Sequence, residues 1–233
     1  MFKNISITAC ALTVAITSFG ADSATFDFAN IADGVPSSAT LDSYTGSVGP
    51  GPFTGELGAA AMNFSSDGIG LTATGFSTSG ATYNAYLDST WTHGGGGGQG
   101  GLGVCANLNL ARQCAPSSDD NVTLGEILVL EFEQLVTISI TFINGAHNPT
   151  FAADAVFGLV IDGIDQGNQP LTSLFTTRLT GKKFELINDA PNLDTDLYSY
   201  YVNPMTAVVP VPAAVWLFGF GLLGLVAVAR RRS

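Results

Sequence analysis

Asp119, Asp120 and Glu126, with the Asn121 amide among them, place several hard oxygen donors just ahead of a strongly apolar run. Calcium gathers about six to eight such oxygens, often from loop carboxylates and carbonyls, so this cluster is where the chain would hold Ca2+. Asp154, Asp162 and Asp165 crowd later segments in the same way. Asp and Asn also build turns with no ion present, and no Asp-x-Asp-x-Asp-Gly loop occurs. Other chemistry is thin. The two histidines, His93 and His147, have no partners at zinc-site spacing and read as solvated loop residues. His93-Gly94-Gly95-Gly96 matches an esterase oxyanion string by letters, but the Gly-x-Ser-x-Gly elbow is missing. Gly98-x-Gly100-x-x-Gly103 spells a dinucleotide fingerprint, but no helix follows it and no βαβ unit surrounds it. No catalytic residue is assigned, and the chain is not expected to be an enzyme. Asn121-Val122-Thr123 is a sequon of a kind common by chance.

Trp91, Tyr83 and Tyr86, with Asn84 and Asp88 nearby, have the makings of a sugar-binding patch. Exposed rings would stack on sugar faces while amides and carboxylates bond the hydroxyls. Aromatic residues in strands more often fill cross-strand positions, so this calcium-assisted glycan-binding reading stands second. A secreted glycan hydrolase stands third. It needs two converging carboxylates, and many are available.

The elements that would position these groups are strands. Between about Ala24 and Tyr201 the apolar residues repeat every second position. Val136, Ile138, Ile140 and Phe142 alternate with Thr137, Ser139 and Thr141, the pattern of a half-buried strand. Leu128, Leu130 and Phe132 form a second such face. Gln134 alone separates the two runs, which suggests antiparallel neighbours. Further strand signals are Thr25–Phe28, Ala60–Phe64, Ile69–Phe76, Tyr83–Leu87, Val156–Ile161, Leu174–Arg178, Phe184–Ile187 and Leu197–Val202. Turn clusters such as Ser66-Asp67-Gly68 and Asp162-Gly163 divide them, and no capped amphipathic helix is evident. The expectation is all-β, a single jelly-roll-like β-sandwich over residues 24–205, filled by Phe26, Phe28, Phe64, Phe76, Phe132, Phe142, Phe157 and Phe184.

Charge and cysteines place this body outside the cytoplasm. All 19 acidic residues fall between Asp22 and Asp196, opposed there by Arg112, Arg178, Lys182 and Lys183 alone. Such a surface excludes nucleic acid as a partner and repels acidic polysaccharide unless divalent cations bridge the two. Cys105 and Cys114 are the only cysteines beyond the leader, and an even pair in an oxidising compartment predicts a disulfide.

Both ends read as addresses. Lys3 followed by the apolar run Ile5–Phe19 and the small residues Ala21 and Ser23 predicts a signal peptide over residues 1–23, cut by signal peptidase after Ser23 or Ala24. At the other end, residues 206–233 contain a proline-bearing stretch, an uncharged apolar segment from Ala213 to Ala229, and Arg230-Arg231-Arg232. Seventeen helical residues span about 25 Å, slightly less than a bilayer core, and the arginines stay cytoplasmic. A transmembrane helix over 213–229 is therefore expected, with the body on the outer face.

Val209, Pro210, Val211, Pro212 and Ala213, then Trp216-Leu217-Phe218-Gly219, Gly221–Leu225 and the arginines, resemble the PEP-CTERM sorting domain of Gram-negative bacteria, closest to its VPLPA-type variant. The resemblance implies an exosortase, a multi-spanning transpeptidase-like membrane enzyme, as partner. It further implies a passage through the inner membrane to the cell surface or the extracellular matrix, and a host that makes exopolysaccharide. Val211 stands where the usual motif has Glu. Gly101–Cys105, Asp119–Thr123, Gly125-Glu126 and Phe157–Gly163 are similar to the body shared by many proteins with this tail, a β-sandwich of unassigned activity. The resulting expectation is a non-enzymatic surface or matrix protein of biofilms.

Overall fold

The protein is described by a computed structural model, over residues 22–45, 47–48, 55–90, 99–189 and 191–210. Leader residues 1–21, Trp91, His93, Val211, Pro212, Ala213, the span 213–229 expected as a helix and Arg230–Arg232 lie outside these described residues. The strands are β1 (Ser23–Phe26), β2 (Ala39–Tyr44), β3 (Ser47–Val48), β4 (Leu57–Ala59), β5 (Met62–Ser66), β6 (Ile69–Ser77) and β7 (Thr82–Leu87). After these come β8 (Leu102–Cys105), β9 (Glu126–Asn144), β10 (Val156–Ile161), β11 (Ile164–Pro170), β12 (Leu174–Asn188) and β13 (Tyr200–Val208). One short helix, α1 (Phe28–Ala32), is capped by the Asp27 side chain, which accepts from the Asn30 amide at 3.1 Å. Among the described residues no helix is long and apolar enough to cross a membrane.

The all-β expectation holds, but the strands form a single hydrogen-bonded sheet with barrel-like closure instead of two separate sandwich sheets. The order is β11-β10-β12-β9-β13-β8-β7-β6-β5-β2-β3, and β6 also pairs with β9. The strands β9, β13, β8, β7 and β6 therefore make a closed circuit. Closure is possible because β9 is long enough to serve two partners on one edge. Its first half pairs with β6 (Leu71↔Phe132 through Ser77↔Glu126) and its second half with β13 (Tyr200↔Asn144 through Val208↔Thr137). β12 follows it along the other edge.

The two apolar runs on either side of Gln134 are one continuous strand, not a hairpin. Leu128, Leu130, Phe132, Val136, Ile138, Ile140 and Phe142 are all even-numbered and all buried. A two-residue turn with Gly or Asn would be needed to reverse the chain, and Glu133-Gln134-Leu135 supplies neither. The irregularity appears in the ladder instead, where the β9–β12 register jumps from Gly181↔Val136 to Lys183↔Glu131. Leu174–Arg178 and Phe184–Ile187 likewise merge into β12. β2, β3, β4, β8 and β11 carried no expectation from sequence.

Two hairpins turn where expected. Asp67 and Gly68 have φ of 47° and 79°, and Asp162 and Gly163 have 50° and 79°, so both central residues are left-handed, as a type I′ turn requires. The interior is a run of edge-on aromatic contacts: Phe28–Phe64 at 5.2 Å, Phe132–Phe184 at 5.9 Å and Phe157–Phe175 at 5.2 Å between centroids. Phe76 is the exception among the expected core phenylalanines. On β6 the odd-numbered residues face inward, so Phe76 falls on the other face and stays half-buried.

Candidate functional site

β7 delivers Tyr86 and, one residue past its end, Asp88. β13 delivers Tyr201, and the segment before β4 delivers Glu56. Asp120 and His147 come from the loops preceding and following β9. These residues form an acidic corner. The Tyr86 hydroxyl donates to Glu56 Oε2 and to Gln113 Oε1, each at 3.3 Å, and Ser89 Oγ donates to Glu56 Oε1 at 3.2 Å. The Tyr201 hydroxyl donates to Asp120 Oδ1 at 2.5 Å. His147 stacks on Tyr201 with centroids 5.2 Å apart, and its Nδ1 lies 3.6 Å from Asp88 Oδ2. Its side chain is only 22 % exposed, so it is a packed ring and not the solvated loop histidine the sequence suggests. Gly103 makes room for this arrangement, since a Cβ there would collide with the Asp120 carbonyl.

Burial dominates the electrostatics here. Asp88 has a 4 % exposed side chain, and Oδ2 has no hydrogen-bond partner. Burial first, then the negative charges of Asp120 and Glu56, push its carboxyl up to about 8. Asp120 is raised by burial too, with the Tyr201 hydroxyl opposing the shift. Burial also raises the hydroxyls of Tyr86 and Tyr201. The protonated form of Asp88 is thus favoured well above the usual carboxylate range, which weakens any ion pairing with His147. A general acid must touch its substrate, and Asp88 is enclosed.

Asp119, Asp120 and Glu126 turn to separate partners. Asp119 Oδ2 accepts from the Ala106 amide at 3.1 Å, Asp120 binds the Tyr201 hydroxyl, and Glu126 Oε2 accepts from the Thr123 amide at 2.8 Å. Glu126 is buried, which pushes it up to about 8. Among the described residues the one convergence of three potential metal-ligating groups is Cys105, Cys114 and Asp119. Cys105 and Cys114 are joined to each other as a disulfide, which leaves no thiolate and a single carboxylate. Asn121 of the sequon is buried at 3 % exposure.

The expected sugar patch does not assemble around the tyrosines. Tyr86 is 1 % exposed and packs against Cys105, Cys114 and Leu108, while Tyr83 is half-buried against the main core. Adjacent strand positions face opposite ways, so residues 83 and 86 lie on different faces of β7. The acidic corner itself was missed at the sequence level. Its members are scattered from residue 56 to residue 201, and only the polar Asp88 directly after the apolar Ala85–Leu87 hinted at a buried acid.

A second feature lies where the chain enters and leaves the body. β1 pairs antiparallel with β13, with Ser23 opposite Val208 and Ala24 opposite Ala207. The Val209 amide then donates to the Asp22 carbonyl at 2.9 Å. Both ends of the body thus meet as neighbours, and the last strand runs directly into the C-terminal segment, past the 205 boundary expected from sequence.

The molecule is thus a β-protein whose final strand continues into a C-terminal signal. That signal is a PEP-CTERM protein-sorting motif, whose family model matches residues 208–232. Such a motif implies export, membrane passage and processing by an exosortase-type enzyme in Gram-negative bacteria. No curated protein and no solved structure matches the chain.

Proposed function

We propose that this chain is a non-enzymatic protein of the cell envelope or extracellular matrix, sorted by an exosortase-type system and associated with exopolysaccharide in a biofilm. The observation that carries the reading is the sorting motif at residues 208–232, which begins on the last residue of β13. The acidic body supports matrix association through bridging divalent cations, which join carboxylates on protein and polysaccharide. The enclosed carboxyls of the acidic corner support a packing role over a catalytic one. The test is fractionation followed by mass spectrometry of the mature C-terminus. A surface species ending between Pro210 and Ala213, released in a strain lacking exopolysaccharide, is the expected result. Surface protein that retains Arg230–Arg232 would overturn the sorting step.

A glycan-binding reading is favoured by one further observation. A groove of about 250 Å³ on the outer face of β2, β5 and β6 is lined by Asp42, Asn63, Ser65, Thr72 and Glu133. These hydroxyl, amide and carboxylate groups are of the kind that bond sugar hydroxyls, and the groove offers a place for them in the absence of a tyrosine platform. Weaker retention on host polysaccharide in Asn63→Ala would support it, and unchanged retention would count against it.

A further inference from the structure

We infer that the end of the leader fastens the start of the sorting motif, so that signal peptidase must act before the exosortase can. The inference rests on the proposed reading of the tail as an exosortase substrate. The sorting motif does not hang from a flexible tether. Its first residue, Val208, is the last of β13, held between Ser23 of β1 on one edge and Thr137 of β9 on the other. Its second residue, Val209, donates its amide to the Asp22 carbonyl. Pro210 has no amide hydrogen, so the bond from Val209 is the final backbone donor contact of the body.

Asp22 and Ser23 belong to the leader if signal peptidase cuts after Ser23. Leader removal then takes away the partner of Val208 on one edge and the acceptor of the Val209 amide. The same holds for a cut after Ala24, which removes one more pair, Ala24 opposite Ala207. The stretch between Pro210 and Ala213 begins one residue after this clasp, within about 13 Å of the sheet at about 3.3 Å per residue. An enzyme that acts on an extended backbone has little chain to grip there while Val209 is tied down.

The test uses the full chain in a host that carries the exosortase. A leader-retaining variant, Ala21→Leu with Ser23→Leu, keeps the backbone clasp while removing the small residues that signal peptidase needs. A second variant adds a 12-residue Gly/Ser insert between Val209 and Pro210 in that background. Mass spectrometry of both termini is the readout. The expected result is tail loss in the parent chain, at least tenfold slower tail loss in the leader-retaining variant, and restored loss once the insert carries the cut away from the clasp. Equal tail loss with the leader retained overturns the inference and leaves the sorting reading intact. A block that the insert does not relieve also overturns it, because the clasp is then not the cause. A parent chain that keeps its tail overturns the sorting reading, and the inference falls with it.

Discussion

Raising the pH from 5 to 8 should destabilise this body progressively, and the buried carboxyls set the slope. Asp88 and Glu126 ordinarily titrate at 3.8 and 4.5, and burial pushes both up to about 8 in the fold. Between those values the folded state holds two protons that the unfolded state has released. Stability therefore falls as pH rises, by about 1.4 kcal/mol per pH unit for each group, or about 3 kcal/mol per unit for the pair. The loss begins above the ordinary carboxyl range and levels off above about pH 8. Against a typical total of about 5–15 kcal/mol this is a large fraction. Urea midpoints followed by circular dichroism on the full chain in detergent, at pH 5, 6, 7 and 8, measure it. Asp88→Asn and Glu126→Gln each remove one titrating group while keeping shape, and the side-chain carbonyl introduced by Glu126→Gln can still accept from the Thr123 amide. Each single variant should lower the slope by about 1.4 kcal/mol per pH unit, and the double variant should leave only the remainder from Asp119 and Asp120, whose carboxyls burial also raises. A midpoint that rises with pH across this range, or a slope undiminished in the double variant, would refute the assignment of Asp88 and Glu126 as buried, protonated carboxyls.

Two glycine substitutions separate crowding from backbone strain. Gly103→Ala meets the Asp120 backbone and should cost about 3 kcal/mol, while Gly68→Ala, with φ of 79° and nothing within 4 Å, should cost about 1 kcal/mol, both read as shifts in urea midpoint. Replacing both Cys105 and Cys114 by Ala opens a link between residues nine apart and should cost about 2–3 kcal/mol. That loss should match the effect of reductant on the parent chain in thermal melts. Asn188→Ala removes an amide that donates to the Val122 carbonyl at 2.8 Å and to the Tyr198 carbonyl at 3.0 Å, and an oxygen that accepts from the Asn192 amide at 2.7 Å, although the Val122 carbonyl keeps its bond from the Tyr200 amide. It should cost about 2–3 kcal/mol by the same measurement.

Sequence reasoning reached the strands whose two faces differ. Val156–Ile161 matches β10 at both ends, and β6 and β7 agree to within one residue, because alternation and Asp-Gly turns act locally. It failed where pairing is decided at long range. Alternation cannot say whether two runs of the same phase are joined or folded back, although the shared even parity across Gln134 held that information. β11, reading Ile164-Asp165-Gln166-Gly167-Asn168-Gln169-Pro170, is polar and mostly exposed. It is a strand only because the Asp162-Gly163 turn returns it against β10. The acidic corner was out of reach for a related reason. Glu56, Asp88, Asp120 and Tyr201 come together only when β7 and β8 pair and β13 comes alongside them. The sorting tail, by contrast, was legible because its chemistry is contiguous.

The direct run of β13 into the tail has a mechanical consequence. A pull on the tail acts lengthwise on a strand flanked by β9 on one edge and by β8 and β1 on the other. Its cross-strand bonds are then loaded together, in shear, instead of being peeled open one after another. Flow or abrasion that tugs at a tethered copy would be resisted by both paired stretches of that strand, Tyr200–Val202 and Met205–Val208, together.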